Sequence, residues 1–255
     1  MPLVSSEEVI SRLSERASPG AAVAFDADGT LWSGDIGVDT FESLLERRAV
    51  RAEAGPALRR EAESHGLEAA SDPNDAARTL YQAYERGSYP ESRAFQMMAW
   101  AFAGYREAEA RAFGLEVIER VGLAARMHPE VTPILRWAAT RSIPVFVVSA
   151  SPTLVVRAAI ERLALPVAAV FAMSTAAPGG VIAPEVTGAV TYGAGKIEAL
   201  RRGAMGATLL GAFGDSVYDL AMLAEAMVGV AVRPKPELRA RAGAYPGLVE
   251  LAPAA

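Results

Sequence analysis

Three short apolar runs, each followed by polar residues, define the organisation of this chain. The first run covers Ala21 to Phe25 and leads into the sequence DADGT at positions 26–30. The second, Pro144 to Val148, leads into Ser149, and the third, Leu209 to Phe213, is followed two residues later by Asp215. Such runs predict buried strands of a parallel sheet. Because ligands bind beyond the carboxyl ends of parallel strands, we expect the three polar ends to form one site.

The segment between the first two strands is much longer than a strand-helix-strand crossover requires. Its apolar positions have helical spacing and are interrupted by glycine and proline. Four helices are predicted there, over Val38 to Arg60, Ala76 to Arg86, Ser92 to Ala103 and Ala108 to Val121. We therefore expect a helical cap domain at residues 35–125, inserted into a core domain formed by residues 1–34 and 126–255.

The rest of the chain alternates between helical and extended patterns. Ser5 and Glu8 predict a capping box for a helix before the first strand. Later elements are predicted, in chain order, as helices over Glu130 to Thr140 and Thr153 to Leu163, a strand over Val167 to Met173, helices over Lys196 to Arg202 and Ser216 to Ala226, and a strand over Val228 to Val232. Extended stretches on both sides of Pro178 predict a hairpin. The alternation is typical of an α/β fold with a doubly wound, Rossmann-like parallel sheet.

Composition and charge restrict the classes of function. Hydrophobic residues make up 51% of the 255 residues, enough for a large core, and the formal net charge is −5. An acidic chain is unsuited to binding nucleic acid or an anionic membrane over a broad surface, so a small molecule is the expected partner. The chain has no cysteine, which excludes disulfides, thiolate metal sites and cysteine nucleophiles. A metal ion would therefore be held by oxygen ligands.

Targeting signals and membrane segments are not indicated by the sequence. The N-terminal region contains Glu7 and Glu8 and lacks the basic start and apolar core of a secretory signal. The longest apolar run, Ala164 to Met173, is about half of the roughly 20 residues that a membrane helix needs. We expect a cytoplasmic protein without a transmembrane helix, and no sequence feature indicates its oligomeric state.

The polar strand ends contain groups that can cleave a phosphate ester. Asp26 is the candidate nucleophile, because a carboxylate can attack phosphorus and form an aspartyl phosphate. Asp28 lies on the same side of an extended segment, so it can protonate the leaving alkoxide and then activate water. Ser149 and the backbone amides of Ala27 and Ala150 can donate hydrogen bonds to the phosphoryl oxygens.

Two positive charges are expected to reduce the repulsion between Asp26 and a phosphate. One is Mg²⁺, held by the Asp26 carboxylate, the Asp28 carbonyl and Asp215. The other is Lys196, which lies near the start of a predicted helix. Asp219 lies one helical turn beyond Asp215 and is expected to orient Lys196 or a metal-bound water.

These residues and their spacing resemble the four motifs of the haloacid dehalogenase superfamily, over nearly the whole chain. The resemblance implies that Asp26 is the nucleophile and that Asp28 is the general acid and base. It also implies that Ser149 is the serine of the second motif and Lys196 the lysine of the third. The two aspartates of the fourth motif would be Asp215 and Asp219. The helical insertion is similar to the C1-type cap of the phosphoserine phosphatase-like branch. The predicted hairpin and the stretch from Val230 to Leu238 are also similar to that branch.

The substrate is less closely defined, because the chain departs from phosphoserine phosphatases. It has Ala150 and Ser151 where those enzymes have two glycines, and Tyr218 where they have asparagine. Asp35 lies where they carry an acidic residue that contacts substrate, which suits an amine-bearing ester. An aspartate at this position would equally serve as the N-cap of a helix that begins near Ile36.

Aromatic residues in the predicted cap allow two interpretations. They are Tyr81, Tyr84, Tyr89, Phe95, Trp100, Phe102 and Tyr105, and Trp32 follows the first motif. Aromatic rings can surround a quaternary ammonium group. Aromatic residues on helices are more often part of the core.

The sequence therefore predicts a Mg²⁺-dependent phosphomonoesterase that acts on a small phosphorylated metabolite through an aspartyl phosphate. An amine-bearing ester such as phosphoserine, phosphoethanolamine or phosphocholine is a candidate substrate. Two alternatives remain open. The same intermediate could pass its phosphoryl group to an alcohol in a phosphotransferase, or the chain could be a catalytically idle module that binds a phosphorylated ligand.

Overall fold

One eight-stranded sheet organises the molecule. The computed structural model describes residues 1–68, 70–204 and 206–254. In chain order the strands are β1 (Leu3–Val4), β2 (Ala21–Phe25), β3 (Val145–Pro152), β4 (Ala169–Thr175), β5 (Val186–Thr187), β6 (Thr208–Gly214), β7 (Val228–Val232) and β8 (Val249–Leu251). Their order across the sheet is β1-β8-β7-β6-β2-β3-β4-β5, and β4 with β5 is the antiparallel pair of the described strands. The predicted α/β fold with a doubly wound sheet is confirmed.

The α-helices lie on both faces of this sheet and beyond one of its edges. In chain order they are α1 (Ser6–Arg16), α2 (Ile36–Glu46), α3 (Gly55–Ser64), α4 (Pro73–Glu85), α5 (Glu91–Trp100), α6 (Glu107–Arg120), α7 (Thr132–Thr140), α8 (Thr153–Arg162), α9 (Ala194–Gly203), α10 (Leu220–Glu225) and α11 (Pro236–Arg241). Val23 and Phe25 of β2 face a cluster built with α1, α7 and α8, whereas Ala22 and Ala24 face a cluster built with α9, α10 and α11. Alternate residues of each strand thus enter opposite halves of the core.

The three strands with polar ends are neighbours at the centre of the sheet. β2 lies between β6 and β3, and all five of its residues are buried. The Phe25 and Phe213 rings, one at the end of each strand, stack with 4.0 Å between their centroids. The chain continues from β2 to β3 and β4 on one side of β2, and after β5 it crosses to β6 and β7 on the other side. This is the type of position at which doubly wound sheets form a ligand crevice.

Helices α2 to α6, which come between β2 and β3 in the sequence, form a second cluster of buried side chains. Phe41, Leu58, Leu80 and Met98 are completely buried in it. α5 packs against β3 and β4, so this cluster lies directly over part of the sheet. The division into a core and a cap at residues 35–125 remains a prediction.

The single helix predicted over Val38 to Arg60 is wrong, because the structure has two helices there. α2 ends at Glu46, and Arg48 adopts a positive φ of 49°. A short 3₁₀ turn follows, and α3 then begins at Gly55 with Pro56 in its first turn. Proline is accepted in the first turn of a helix but not in its interior, so Gly55-Pro56 was a start signal inside the predicted helix.

Other predicted elements are present with small shifts at their ends. The hairpin exists as β4 and β5, which pair Ser174 with Thr187. The predicted Ser216 to Ala226 helix begins as a 3₁₀ turn, and α10 starts at Leu220. β1 and β8 were not predicted, because strands of two and three residues are too short to show a period. Among the described residues, no helix has both the length and the apolar character needed to cross a membrane.

Candidate active site

Asp26 lies at the carboxyl end of the central strand and is 5% exposed. Its backbone N–H donates to the carbonyl of Phe213, which fixes the end of β2 against β6. Its Oδ1 accepts a hydrogen bond of 2.6 Å from Lys196 Nζ, and its Oδ2 accepts one of 3.1 Å from Thr30 Oγ1. Burial raises the pKa of Asp26, and the Lys196 charge opposes that effect. The side chain is thus fixed on both oxygens at the base of the cleft.

Asp28 lies beside Asp26 but has a different set of partners. Its Oδ1 accepts hydrogen bonds from Trp32 Nε1 at 2.8 Å and from the backbone of Ile36 at 2.9 Å. Its Oδ2 accepts one from Ser151 Oγ at 2.7 Å. Burial raises the pKa of Asp28, and these donors oppose the effect. A raised pKa favours the protonated form that a general acid requires.

Lys196 connects two carboxylates in the buried part of the site. It lies in the first turn of α9, and its side chain is 5% exposed. Nζ is 2.6 Å from Asp26 Oδ1 and 2.6 Å from Asp219 Oδ1. Asp219 and Asp26 raise the pKa of Lys196 despite its burial, so the ammonium stays charged. A fixed positive charge therefore lies against the candidate nucleophile.

Asp219 is completely buried and uses both oxygens to hold other groups. Oδ2 accepts hydrogen bonds from the backbone of Asp215 at 3.2 Å, the backbone of Ser216 at 3.0 Å and the Ser216 hydroxyl at 2.9 Å. Oδ1 accepts the bond from Lys196. The contact with Lys196 that the sequence led us to expect is present. Four donors leave this carboxylate little freedom to rotate.

Asp215 is buried opposite Gly29, and the two residues approach closely. A Cβ atom added to Gly29 would lie 2.2 Å from Asp215 Oδ2, and the φ of Gly29 is +82°. Lys235 Nζ lies 3.0 Å from the same oxygen. The DADGT sequence therefore needs glycine at its fourth position both for the turn and to leave space for the Asp215 carboxylate.

We expect Gly29→Ala to displace Asp215 and to lower turnover by about 100-fold, the scale of a misplaced catalytic group. Gly20→Ala is a matched control, because Gly20 has a similar φ of +81° and its nearest neighbour would be 4.0 Å from the new Cβ. The control should lose about 1 kcal/mol of unfolding free energy and keep its activity. Urea unfolding and phosphate release measure the two effects. Equal activity in both variants would contradict the close packing of Gly29 against Asp215.

Three carboxylates are close enough to hold one metal ion. Ligand oxygens of Asp26, Asp215 and Asp219 lie within 4.8 Å of one another, and all three residues are buried. Asp219 already accepts four hydrogen bonds, so Asp26 and Asp215 are the better placed ligands. The donor set consists of carboxylate oxygens, which Mg²⁺ prefers. These residues are suited to hold a divalent ion. Coordination of that ion by the Asp28 carbonyl remains a prediction.

The two serines of the second motif contact each other and Asp28. Ser149 Oγ accepts a hydrogen bond from the backbone of Ser151 at 3.0 Å and is 3.5 Å from Asp28 Oδ2. Ser151, to which no role was given, makes the shorter contact with Asp28. Ser149 and Ala150 both line the cleft. Donation from Ser149 and from the Ala150 amide to a phosphoryl group remains a prediction.

Asp35 both caps a helix and lines the cleft. Its Oδ1 accepts a hydrogen bond from the Val38 backbone at 2.8 Å at the start of α2, and Ser151 Oγ lies 3.5 Å away. Burial and the nearby Asp28 raise the pKa of Asp35 to about 8. The two interpretations of Asp35 are therefore compatible. Its contact with a substrate remains a prediction.

The cleft has a cavity volume of about 60 Å³ and is lined by residues that the sequence did not identify. Those are Glu91, Ser151, Tyr192, Ser216, Tyr218 and Lys235. Glu91 comes from α5, Ser151 from the end of β3, Tyr218 from a 3₁₀ turn, and the others from loops. Lys235 lies within Val230 to Leu238, the stretch that resembles the phosphoserine phosphatase-like branch. Of these residues it could therefore have been predicted most easily from the sequence. Nothing in the sequence around Glu91 distinguishes it from other glutamates.

Most of the predicted aromatic set belongs to the core. Six of the seven cap aromatics are less than a tenth exposed: Tyr81, Tyr89, Phe95, Trp100, Phe102 and Tyr105. Of the cap set, Phe95 is the ring that lines the cleft among the described residues. Trp32 is completely buried and donates to Asp28 instead of facing a ligand. The packing supports the core interpretation over an aromatic cage formed by the cap.

The sequence matches the family model of haloacid dehalogenase-like hydrolases over residues 23–224. The match includes the strand before Asp26, the helices between β2 and β3, and the loop that carries Asp215 and Asp219. The chain belongs to the haloacid dehalogenase-like hydrolase family, and the resemblance seen in its four motifs is confirmed. No curated protein matches the chain.

Solved structures share this fold at low sequence identity. A protein of unknown function from Bordetella pertussis Tohama I has a TM-score of 0.70 and 20% identity, over 91% of this chain and 99% of that chain. A substrate-bound phosphoserine phosphatase has a TM-score of 0.51 and 17% identity, over 89% and 99%. Cytosolic 5'-nucleotidase IIIB bound to cytidine has a TM-score of 0.61 and 10% identity, over 97% and 85%. At these identities the likeness concerns the fold.

Proposed function

We propose that this protein is a Mg²⁺-dependent phosphomonoesterase that acts on a small phosphorylated metabolite through an aspartyl phosphate. The observation that carries the proposal is the buried Lys196 ammonium, 2.6 Å from Asp26 in a cleft that also contains Asp28. A hydrolase family and neighbours that are named phosphatase and nucleotidase support phosphoester hydrolysis.

In the proposed reaction Asp26 is the nucleophile and Asp28 is the proton donor. An Asp26 oxygen forms a bond to phosphorus while the bond from phosphorus to the leaving oxygen breaks, and Asp28 gives its proton to that oxygen. Asp28 then takes a proton from water, whose oxygen attacks the phosphorus of the aspartyl phosphate. Phosphate leaves, Asp26 is regenerated, and Asp28 is protonated again. Lys196 remains beside Asp26 and neutralises charge throughout.

Asp26 and Asp215 are the residues that would hold Mg²⁺, with Asp219 fixing the loop of Asp215. The ion, when bound, would neutralise the negative charge of a phosphoryl group beside the carboxylates. Two lysines, Lys196 and Lys235, line the cleft. Four aspartates line or adjoin the same space: Asp26, Asp28, Asp215 and Asp219. The excess of carboxylates supports a site that requires a divalent cation.

An amine-bearing ester is the substrate class that we favour, with phosphoserine, phosphoethanolamine and phosphocholine as candidates. Asp35 and Glu91 line the cleft, and no ion pair with lysine or arginine is seen for either of them in the described residues. A protonated amine on the leaving group would stabilise the ionised form of Asp35, whose pKa burial raises to about 8, and would be attracted to both carboxylates. The cavity volume of about 60 Å³ lies well below the usual range for ligand sites, which favours a small leaving group.

Phosphate release from a panel of esters tests this proposal. The panel contains phosphoserine, phosphoethanolamine, phosphocholine, a sugar phosphate, a nucleoside monophosphate and p-nitrophenyl phosphate, each with Mg²⁺ or with EDTA. We expect release in Mg²⁺ and loss of nearly all release in EDTA, because the carboxylates then repel the phosphate. The same protein should unfold at a higher temperature in Mg²⁺ than in EDTA.

Three outcomes would contradict parts of the proposal. Release that is equal in EDTA would exclude a metal requirement. Transfer of phosphate to an added alcohol in place of release would identify a phosphotransferase. Binding of an ester without turnover in either condition would identify a binding module.

A further inference from the structure

A cluster of four side chains joins the helix α5 to two loops of the core. Glu91 is the first residue of α5, and its Oε2 accepts a hydrogen bond of 3.0 Å from the Tyr218 hydroxyl. The Tyr218 ring packs on Tyr192, with 4.3 Å between the ring centroids. Tyr192 in turn packs on Phe95, with 6.0 Å between centroids. We call Glu91, Phe95, Tyr192 and Tyr218 the cap clamp.

The cap clamp contacts the segments that hold the charged groups. Tyr218 directly precedes Asp219, the carboxylate bound by Lys196. Tyr192 lies in the loop that leads into α9, four residues before Lys196. On α5 the two clamp residues are separated by four positions, so they lie on the same face of the helix. One turn of α5 therefore contacts both of the loops that meet at Lys196.

We propose that the cap clamp is a specificity-determining element that restricts the cleft to small leaving groups. This inference rests on the proposed phosphatase function. All four clamp side chains line the cleft together with Asp26 and Asp28. A longer or wider leaving group would have to separate α5 from the core. That movement breaks a hydrogen bond to a carboxylate, which is stronger than one between neutral groups, and separates two pairs of packed rings.

The contacts of the clamp are suited to persist across neutral pH. Burial, followed by the nearby Tyr218 and Glu91, raises the pKa of Tyr192, so its phenol stays neutral. Glu91 lies at the N-terminus of α5, where the helix dipole favours a negative charge. A neutral Tyr192 phenol is the form that the observed ring packing needs.

Tyr218→Phe tests the clamp by removing one hydroxyl while keeping the ring. We expect the ratio of kcat/KM for a bulky ester, naphthyl phosphate, to that for a small ester without an amine, methyl phosphate, to rise about tenfold, the scale of losing one hydrogen bond to a charged group. Glu91→Ala should have the same effect, and the double variant should not exceed either single variant. Glu91→Gln keeps an acceptor oxygen and should retain most of the selectivity. A purely structural defect would lower both values of kcat/KM and leave their ratio unchanged, which would overturn the proposal.

Hydrogen exchange of the α5 amides in the ligand-free protein gives a second readout that needs no activity. Exchange should be about tenfold faster in Tyr218→Phe and in Glu91→Ala, because loss of the hydrogen bond favours local opening. Tyr245→Phe is a matched control, since Tyr245 lies outside the cleft, in the loop before β8. Unchanged exchange in both clamp variants would overturn the proposal even in an active enzyme. If the wild type hydrolyses no ester, the proposed function fails, whereas faster exchange would still support the clamp.

Discussion

Asp26→Asn is expected to lower phosphate release by about 10⁴-fold or more, the scale of losing a catalytic nucleophile. An amide oxygen does not attack phosphorus under conditions in which a carboxylate does. The substitution preserves the size of the side chain, and its oxygen can still accept the hydrogen bond from Lys196. Chemistry should therefore be lost without loss of the fold. Phosphate release in Mg²⁺ measures the first, and urea unfolding measures the second.

Asp75→Asn is the control for removing one carboxylate elsewhere. Asp75 is exposed on α4 and pairs with Arg48, so this variant should keep full activity. The unfolding free energy of Asp26→Asn should stay within about 1 kcal/mol of the wild type, because the lost ion pair is offset by relief of a buried charge. Residual turnover above about a tenth would contradict Asp26 as nucleophile and would favour direct attack by water.

The sheet and the convergence of the strand ends could be predicted because their signals are local. Ala21 to Phe25 is a fully apolar run, and a run of this kind is buried on both sides in a parallel sheet. Its end is marked by two aspartates and a glycine, and similar changes of pattern follow β3 and β6. Since the carboxyl ends of parallel strands meet at one edge, three local patterns were enough to bring Asp26, Ser149 and Asp215 together.

The outer part of the cleft could not be predicted in the same way. Glu91 and Tyr218 are 127 positions apart, and their contact depends on how α5 packs over the sheet. Ser151 contacts Asp28 because β3 continues beyond its apolar run to Pro152. Patterns of hydrophobicity fix which side of an element is buried, but they do not fix which polar side chains then meet. The positions of residues that determine substrate choice depend mainly on such long-range contacts.

The charges of the site connect its stability with its chemistry. Asp26 and Asp219 share one ammonium, while Asp215 contacts the ammonium of Lys235. Burial raises the pKa of Asp26, Asp28 and Asp215, which shows that their ionised forms are costly in the folded protein. The ammonium groups of Lys196 and Lys235 lower this cost. We therefore expect removal of the buried Lys196 ammonium to have a large effect on both folding and activity.

Lys196→Met is expected to lower the unfolding free energy by about 3–5 kcal/mol at neutral pH, because it leaves two buried carboxylates without their partner. The methionine side chain fills a similar volume, so the effect comes mainly from the lost charge. Loss of the charge beside Asp26 should also lower kcat/KM by about 10³-fold. Urea unfolding and phosphate release measure the two losses.

The pH dependence of Lys196→Met distinguishes a charge effect from a packing defect. Without Lys196 the pKa of Asp26 rises further, so the folded variant binds a proton more tightly than the unfolded chain, whose aspartates titrate near about 3.9. Stability then falls as pH rises through this interval, and the deficit should be smaller at about pH 5.5 than at about pH 8. Lys235→Met is the matched control, because the Lys235 side chain is 60% exposed. Because one partner of this pair is exposed, its loss should lower the unfolding free energy less than the loss of the fully buried pairs of Lys196. Equal losses in the two variants, or a loss in Lys196→Met that does not change with pH, would contradict this electrostatic account.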